Sequence, residues 1–438
     1  EILSIVGMYA SHKCQLRHVI LSPFSKSCFY IFIDTLNILF FFGKYYWNFK
    51  KCDIIYMERS GTVQRFGTEA VMRISEETLE NFTITYPLDR LAPLERVLFL
   101  DIETTGFTAK SSYLYLIGCA YFLGGKWHTI QWMAQAYEQE VDVIRAFFDF
   151  ARPYRYLIHF NGNNFDLPFI TQKCAQHALP CSFDRFQGID IYRRVVPYKY
   201  FLRLPNCKQK TFEQFLELAR KDVFSGSELI GIYHDYIKNP SEFSENALLL
   251  HNADDLKGML EILSMLAYYD LFNQPVKARR VQANSYKDVN GNRRKELVIL
   301  FQPETPLPRL VSASTGGCYF RGDGMECSLK IPIFEEELKY FYSNYQDYYY
   351  LPTEDVALHK SVSGFVDKAY RLQASAANCY TRKVSSYLPQ WDFVFSPFFK
   401  RDYKSRELFF ELTDELKKNR QAFSVYASHV LSMMASSY

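Results

Sequence analysis

The chain has 438 residues, with 51 Lys+Arg against 48 Asp+Glu, a formal charge of +3, 48% hydrophobic residues and 17% aromatic ones. That length fits two or three domains, and the apolar share excludes a collagenous, disulfide-scaffold or wholly disordered chain. The charge balance is too mild to announce a nucleic-acid partner by itself.

None of the 10 cysteines forms a C-x-x-C pair, and the spacings Cys174 to Cys181 and Cys318 to Cys327 match no zinc pattern. Buried, unpaired thiols in a reducing, cytoplasmic setting are expected.

Residues 1–56 differ from the rest, being dense in Phe, Tyr, Ile, Ser and Cys without a helical or strand period. The run CFYIFIDTLNILFFF over 28–42 is shorter than the roughly 18–20 residues a membrane span needs, and it carries Asp34 near its middle. The expectation is a leader of upstream translated sequence over 1–56, with synthesis beginning at Met57, then a lead-in over 57–94.

RVLFLD at 96–101 reads as a buried central strand. YLYLIGCAYF and KWHTIQWMA follow on either side of Gly124-Gly125, the signature of a hairpin, so three antiparallel strands are predicted. Val141, Ile144, Phe147 and Phe148 have helical spacing, and RYLIHF reads as a fourth strand. Helices are then predicted at LPFITQKCAQHA, at TFEQFLELA behind a Thr211/Gln214 capping box, and at SENALLLHNADDLKGMLEILSMLAYY. Strand meander, helix, strand, helix is the order of a ribonuclease H-like α/β core, here over 95–272.

From 273 to 438 a second, α+β region is expected. KARRVQANSYKD and NRRKELVILFQ read as basic strands joined at Asn290-Gly291-Asn292, whereas FEEELKYFYSNYQDYYYLP and SRELFFELTDELKKN read as helices. Basic and aromatic residues interleaved in this way suit single-stranded nucleic acid, and equally a plain folded core.

Asp101 and Glu103 in FLDIETTGF stand two apart at the end of an apolar strand, so both project to one face. Asp166 in HFNGNNFDLPF lies where a loop becomes a helix, and His251 and Asp255 in LLLHNADDLKGM stand four apart on one helix face. Four converging carboxylates repel one another unless a cation intervenes, and hard all-oxygen ligands suit Mg²⁺ or Mn²⁺. Two such ions about 3.5 to 4 Å apart can activate water and stabilise a leaving oxygen in phosphodiester displacement, with an imidazole as general base.

A lone D-x-E carries little weight, since about one arises by chance in a chain this long. The ordered set DIETTGF, NGNNFDLPF and HNADDLKGM resembles the DEDD superfamily of 3′-to-5′ exonucleases, in particular bacterial predicted exonucleases with a YprB-like ribonuclease H-like domain. The resemblance covers about residues 95 to 270 and also takes in LPNCKQKTFEQFLELARKDVFSGSELIGIYHDYI. It implies that Asp101, Glu103, Asp166 and Asp255 hold two metal ions, that His251 is the base, and that single-stranded DNA or RNA is the substrate. One departure stands out, because His251 lies four residues before Asp255, the spacing of the superfamily's Tyr branch, not of its His branch. Asp254 is the alternative ligand, with Asp255 preferred.

Thr104, Thr105 and Asn161 are candidate substrate contacts, although turn formation and loop satisfaction are their plainer roles. Asp190 is favoured as structural.

Overall fold

The computed structural model describes residues 72–436 in full and, before them, the backbone of five short strands. These are β1 (Phe29–Asp34), β2 (Asn37–Phe42), β3 (Tyr45–Asn48), β4 (Asp53–Met57) and β5 (Val63–Arg65), paired in sequence order as an antiparallel sheet. The rest of residues 1–71, and with them the expectation of a leader, lie outside the described residues. Met72–Tyr438 is one compact unit and Glu1–Val71 another.

The second unit opens with a six-stranded mixed sheet. β7 (Val97–Thr104), β8 (Leu114–Leu123) and β9 (Lys126–Met133) form the expected antiparallel meander, turning at Gly124 and Gly125, both at positive φ. β10 (Tyr156–His159) and β11 (Gln187–Asp190) extend the sheet parallel to β7. β6 (Arg73–Leu79) closes the other edge against β9. Its sequence RISEETL has no marked apolar pattern because an edge strand is largely solvated, and charges there discourage further pairing.

β7 decides where the chemistry sits. Leu98, Leu100 and Ile102 enter the core beneath α1 (Glu140–Phe150), α2 (Asp166–Gln176) and α5 (Gly226–Lys238), whereas Val97 and Phe99 enter a second core on the opposite face. By the same alternation Asp101 and Glu103 face the second side. That side is crossed by α6 (Glu242–Ile262), a helix buried nearly all round. Its close approach depends on Gly118 of β8, where a Cβ would land on the Asn252 side chain.

Three short helices complete the connections: α3 (Ile191–Val195), α4 (Gln209–Phe215) and α7 (Leu266–Asn273). α4 begins three residues earlier than the Thr211/Gln214 box implies. Thr211 instead donates to the Asn206 side chain at 2.5 Å, so the expected cap is absent. The real capping box is Ser225/Glu228, at the start of α5.

The C-terminal region is a mainly antiparallel eight-stranded sheet. β12 (Lys277–Lys287) and β13 (Arg293–Gln302) form the expected basic hairpin, and β14 (Leu307–Thr315) and β15 (Cys318–Gly324) a second one. β16 (Glu326–Phe341) runs through the whole sheet, pairing with β13 and β15 in its first half and with β20 (Tyr380–Gln390) in its second. β22 (Leu408–Glu411) and β21 (Phe398–Phe399) follow. A small sheet of β17 (Tyr348–Leu351), β18 (Val356–His359) and β19 (Leu372–Gln373) stands apart, and α8 (Asp414–Lys418) and α9 (Arg420–Ser436) end the chain.

One helix expectation fails here, and a second holds only over Asp414–Lys418, which is α8. FEEELKYF is the second half of β16, YYYL is β17, and LFFE is β22. The acidic run looks helical, yet each glutamate meets a cation from elsewhere in the sheet region: Lys295 for Glu335, Arg401 for Glu336 and Arg382 for Glu337. Tertiary pairing outweighs local propensity.

One core runs unbroken across residue 272, joining Leu256, Met259 and Leu263 to Leu297, Phe320 and Leu329 of the C-terminal sheet and to Val430 and Leu431 of α9.

Candidate functional site

The site lies at the carboxyl ends of β7 and β10, two parallel strands of the mixed sheet, the end where ligands bind in open α/β folds. Glu103, His251 and Asp255 each place one donor atom within 4.8 Å of the others. His251 Nε2 stands 3.4 Å from Asp255 Oδ2 and 3.7 Å from Glu103 Oε1. Asp101 accepts a 2.7 Å hydrogen bond from Asn252 Nδ2, and Asn252 Oδ1 in turn accepts from Gln131 Nε2 at 2.9 Å. Asp166, in the first turn of α2, lies near its own amide and that of Ile102, the strand residue between the first two acids.

These groups feel one another. Burial, followed by the charges of Asp255, Glu103 and Asp166, holds the Asp101 carboxyl well above the usual carboxylate range. Burial, then Asp255, Asp166 and Asp222, does the same for Glu103 against a lowering by Arg220. Burial also pushes Asp166 up to about 7, opposed by the two nearby amides and reinforced by Asp190 and Asp255.

A loop between α4 and α5 supplies two side chains that sequence reasoning missed, Asp222 and Arg220. His251 Nδ1 donates to Asp222 Oδ2 at 2.9 Å, which aims Nε2 at the carboxylates. Asp222 is held below its ordinary value despite burial, by the Phe224 amide and by His251. Arg220 meets Asp255 at 2.7 Å and Glu213 at 2.9 Å. Gly258 lets α4 come this close, since a Cβ there would strike Glu213.

Asp254 and Asp255 are separated by this loop. Asp254 Oδ2 accepts the backbone amides of Lys221 and Asp222 at 2.8 and 2.7 Å, so it anchors the loop while Asp255 faces the cluster. The spacing LARKDVF gave one usable signal, an Arg and an Asp two apart in an otherwise featureless stretch.

The remaining candidates are placed as follows. Thr104 Oγ1 donates to the Gly106 carbonyl, and Thr105 Oγ1 accepts the Tyr113 amide, so both hydroxyls serve the turn after β7. Asn161 sits at positive φ, donates its amide to Asp190 Oδ1, and lines a cleft of about 470 Å³ with Asp101, Phe165, Asp166, Tyr192 and Lys208. Asp190 caps α3 through the Arg193 amide.

The donor set fits a hard divalent cation. Oxygen ligands predominate, and their mutual repulsion is the kind that a cation relieves. Asp255 already spends one oxygen on Arg220, which leaves Oδ2 as its free donor.

Residues 98–267 match the family model of the RNase_H superfamily. Among solved structures, the family B DNA polymerase from the hyperthermophilic archaeon Pyrobaculum calidifontis is 15% identical, with a TM-score of 0.35, over 41% of this chain and 26% of that one. The chain therefore spans about a quarter of the polymerase it matches. The zinc-ion-bound E. coli ExoI–ssDNA complex is 10% identical, with a TM-score of 0.23, over 77% of this chain and 73% of that one. A search of curated proteins gives no match. No helix among the described residues is long and apolar enough to cross a membrane.

Proposed function

We propose that the protein is a divalent-metal-dependent 3′-to-5′ exonuclease of the DEDD type acting on single-stranded nucleic acid. The observation that carries this reading is the convergence of Glu103, His251 and Asp255 with the electrostatically linked Asp101 and Asp166 at one end of the sheet. The match to the RNase_H superfamily supports it, and the 3′-to-5′ direction rests on the motif resemblance.

Asp101, Glu103, Asp166 and Asp255 would hold two Mg²⁺ or Mn²⁺ ions, which when bound supply Lewis acidity to the water and the phosphodiester. A carboxylate only accepts hydrogen bonds, so Asp222 keeps the proton on His251 Nδ1 and leaves the Nε2 lone pair to take a proton from water. Asn252 fixes the orientation of Asp101, and Arg220 that of Asp255. The cleft beside Asp101 and Asp166 receives the 3′ end, with Asn161 on its wall and the Thr104–Thr105 turn alongside.

The test is degradation of matched 5′-labelled DNA and RNA oligonucleotides with Mn²⁺, which reads polarity and sugar preference together. Wild type should shorten the strand from its 3′ end and D101A should not. Equal rates for the two proteins would overturn the assignment. A circular single strand that is cut would point to an endonuclease with the same site.

A further inference from the structure

A second concavity of about 470 Å³ opens at the opposite end of the parallel strands, where Arg96 precedes β7, Tyr156 begins β10 and Arg185 precedes β11. At about 3.3 Å per residue, the five steps from Arg96 to Asp101 put it roughly 16 Å from the carboxylate centre. Four arginines line it, Arg96, Arg152, Arg155 and Arg185, together with Tyr154 and Tyr156.

All four arginines are exposed, so water screens their repulsion, yet together they concentrate positive charge around one hollow. Among the described residues only Arg152 has a carboxylate in reach, that of Asp149. The other three are held by backbone carbonyls: Arg96 donates to Pro153, Arg155 to Arg185, and Arg185 to Arg152 and Ala151. A carbonyl orients a guanidinium but does not neutralise it. The forks are fixed in place with their charge uncompensated, which is how arginine recognises phosphate oxygens. The volume lies within the range of small-ligand sites, and the tyrosine rings add walls on which a sugar or base can rest.

We propose that this hollow is a phosphate-binding site for a nucleotide, distinct from the carboxylate centre. The phosphate is either that of a free mononucleotide or one along a nucleic-acid strand. The inference stands on this geometry alone and does not require the exonuclease reading.

The test is isothermal titration of the full chain in EDTA, which silences any metal site, with three probes: inorganic pyrophosphate, a 5′-mononucleotide and a 12-nucleotide single strand. Two variants are compared with wild type. R155Q/R185Q removes charge, and P93E places a carboxylate on the wall while leaving every arginine in position, which covers the case in which the first variant fails to fold. A carboxylate added to the wall repels phosphate oxygens and should weaken binding of at least one probe about tenfold in P93E. Weakening for the mononucleotide assigns the site to free nucleotide, and weakening for the strand alone assigns it to a nucleic-acid backbone. No binding to wild type, or binding to P93E unchanged for all three probes, overturns the proposal.

Discussion

Asp222 holds the imidazole of His251 across 2.9 Å from a loop 29 residues earlier in the chain, and its own amide is pinned by Asp254, three residues beyond that histidine. The helix thus anchors the loop that orients the helix's own side chain. Replacing Asp222 with Ala should lower kcat about 10- to 100-fold, the usual cost of an outer-shell partner, with KM little changed. D222N should recover part of the loss, because its carbonyl still accepts from Nδ1. Steady-state kinetics on a labelled oligonucleotide with Mn²⁺ check this, and a KM effect alone would contradict it.

Crowding of the carboxylates sets a pH dependence in the metal-free protein. Asp166 is raised from the ordinary 3.8 to about 7, chiefly by burial, so the folded state favours its neutral form. The resulting stabilisation is present below the unfolded value and is lost as pH climbs from about 4 to about 7. In EDTA, D166N should therefore melt a few degrees above wild type at pH 8, with a much smaller gap at pH 5. Added Mn²⁺ should raise the wild-type melting temperature more at pH 8 than at pH 5, since protons compete for the same oxygens. Thermal melts at the two pH values decide both points.

Gly118 provides the space in which Asn252 reaches Asp101. G118A drives a methyl group into that amide and toward Leu256. A loss of about 1–3 kcal/mol is expected from overpacking, together with a fall in activity, because Asp101 loses its donor. Urea denaturation and a degradation assay measure the two effects, and an unperturbed G118A would show that α6 does not depend on this contact.

Away from the site, Lys173 and Glu140 form an ion pair at 3.0 Å with side chains 5% and 3% exposed, and Glu140 also accepts from Leu114 and lies 2.7 Å from His177 Nε2. K173M leaves the buried Glu140 carboxylate with only the Leu114 amide and His177 and should cost about 3 kcal/mol. The pair K173M/E140Q should regain part of that, since no lone charge remains. Urea unfolding midpoints read the difference, and a double variant no more stable than K173M would refute the account.

The legible parts of this chain were those in which local pattern and final environment agree. The β7–β8–β9 meander follows from short apolar runs and Gly124-Gly125, and the nearness of Glu103, His251 and Asp255 follows from where each stands relative to a strand end or helix face. Arg220 and Asp222 were hidden because a loop has no period to announce what it packs against. The second half of β16 was misread because a Glu-rich run has helical propensity, and the cations that neutralise it, Lys295, Arg382 and Arg401, lie 40 to 65 residues away or on a later strand.

The core that crosses residue 272 bears on how the site holds its shape. Along α6, His251 and Asp255 point to the carboxylates, while Leu256, Met259 and Leu260 belong to the apolar mass shared with the far sheet. The helix is thus a beam with chemistry on one flange and ballast on the other. Because the C-terminal sheet packs on that beam, the 273–436 region is part of the support that holds His251 and Asp255 beside Glu103.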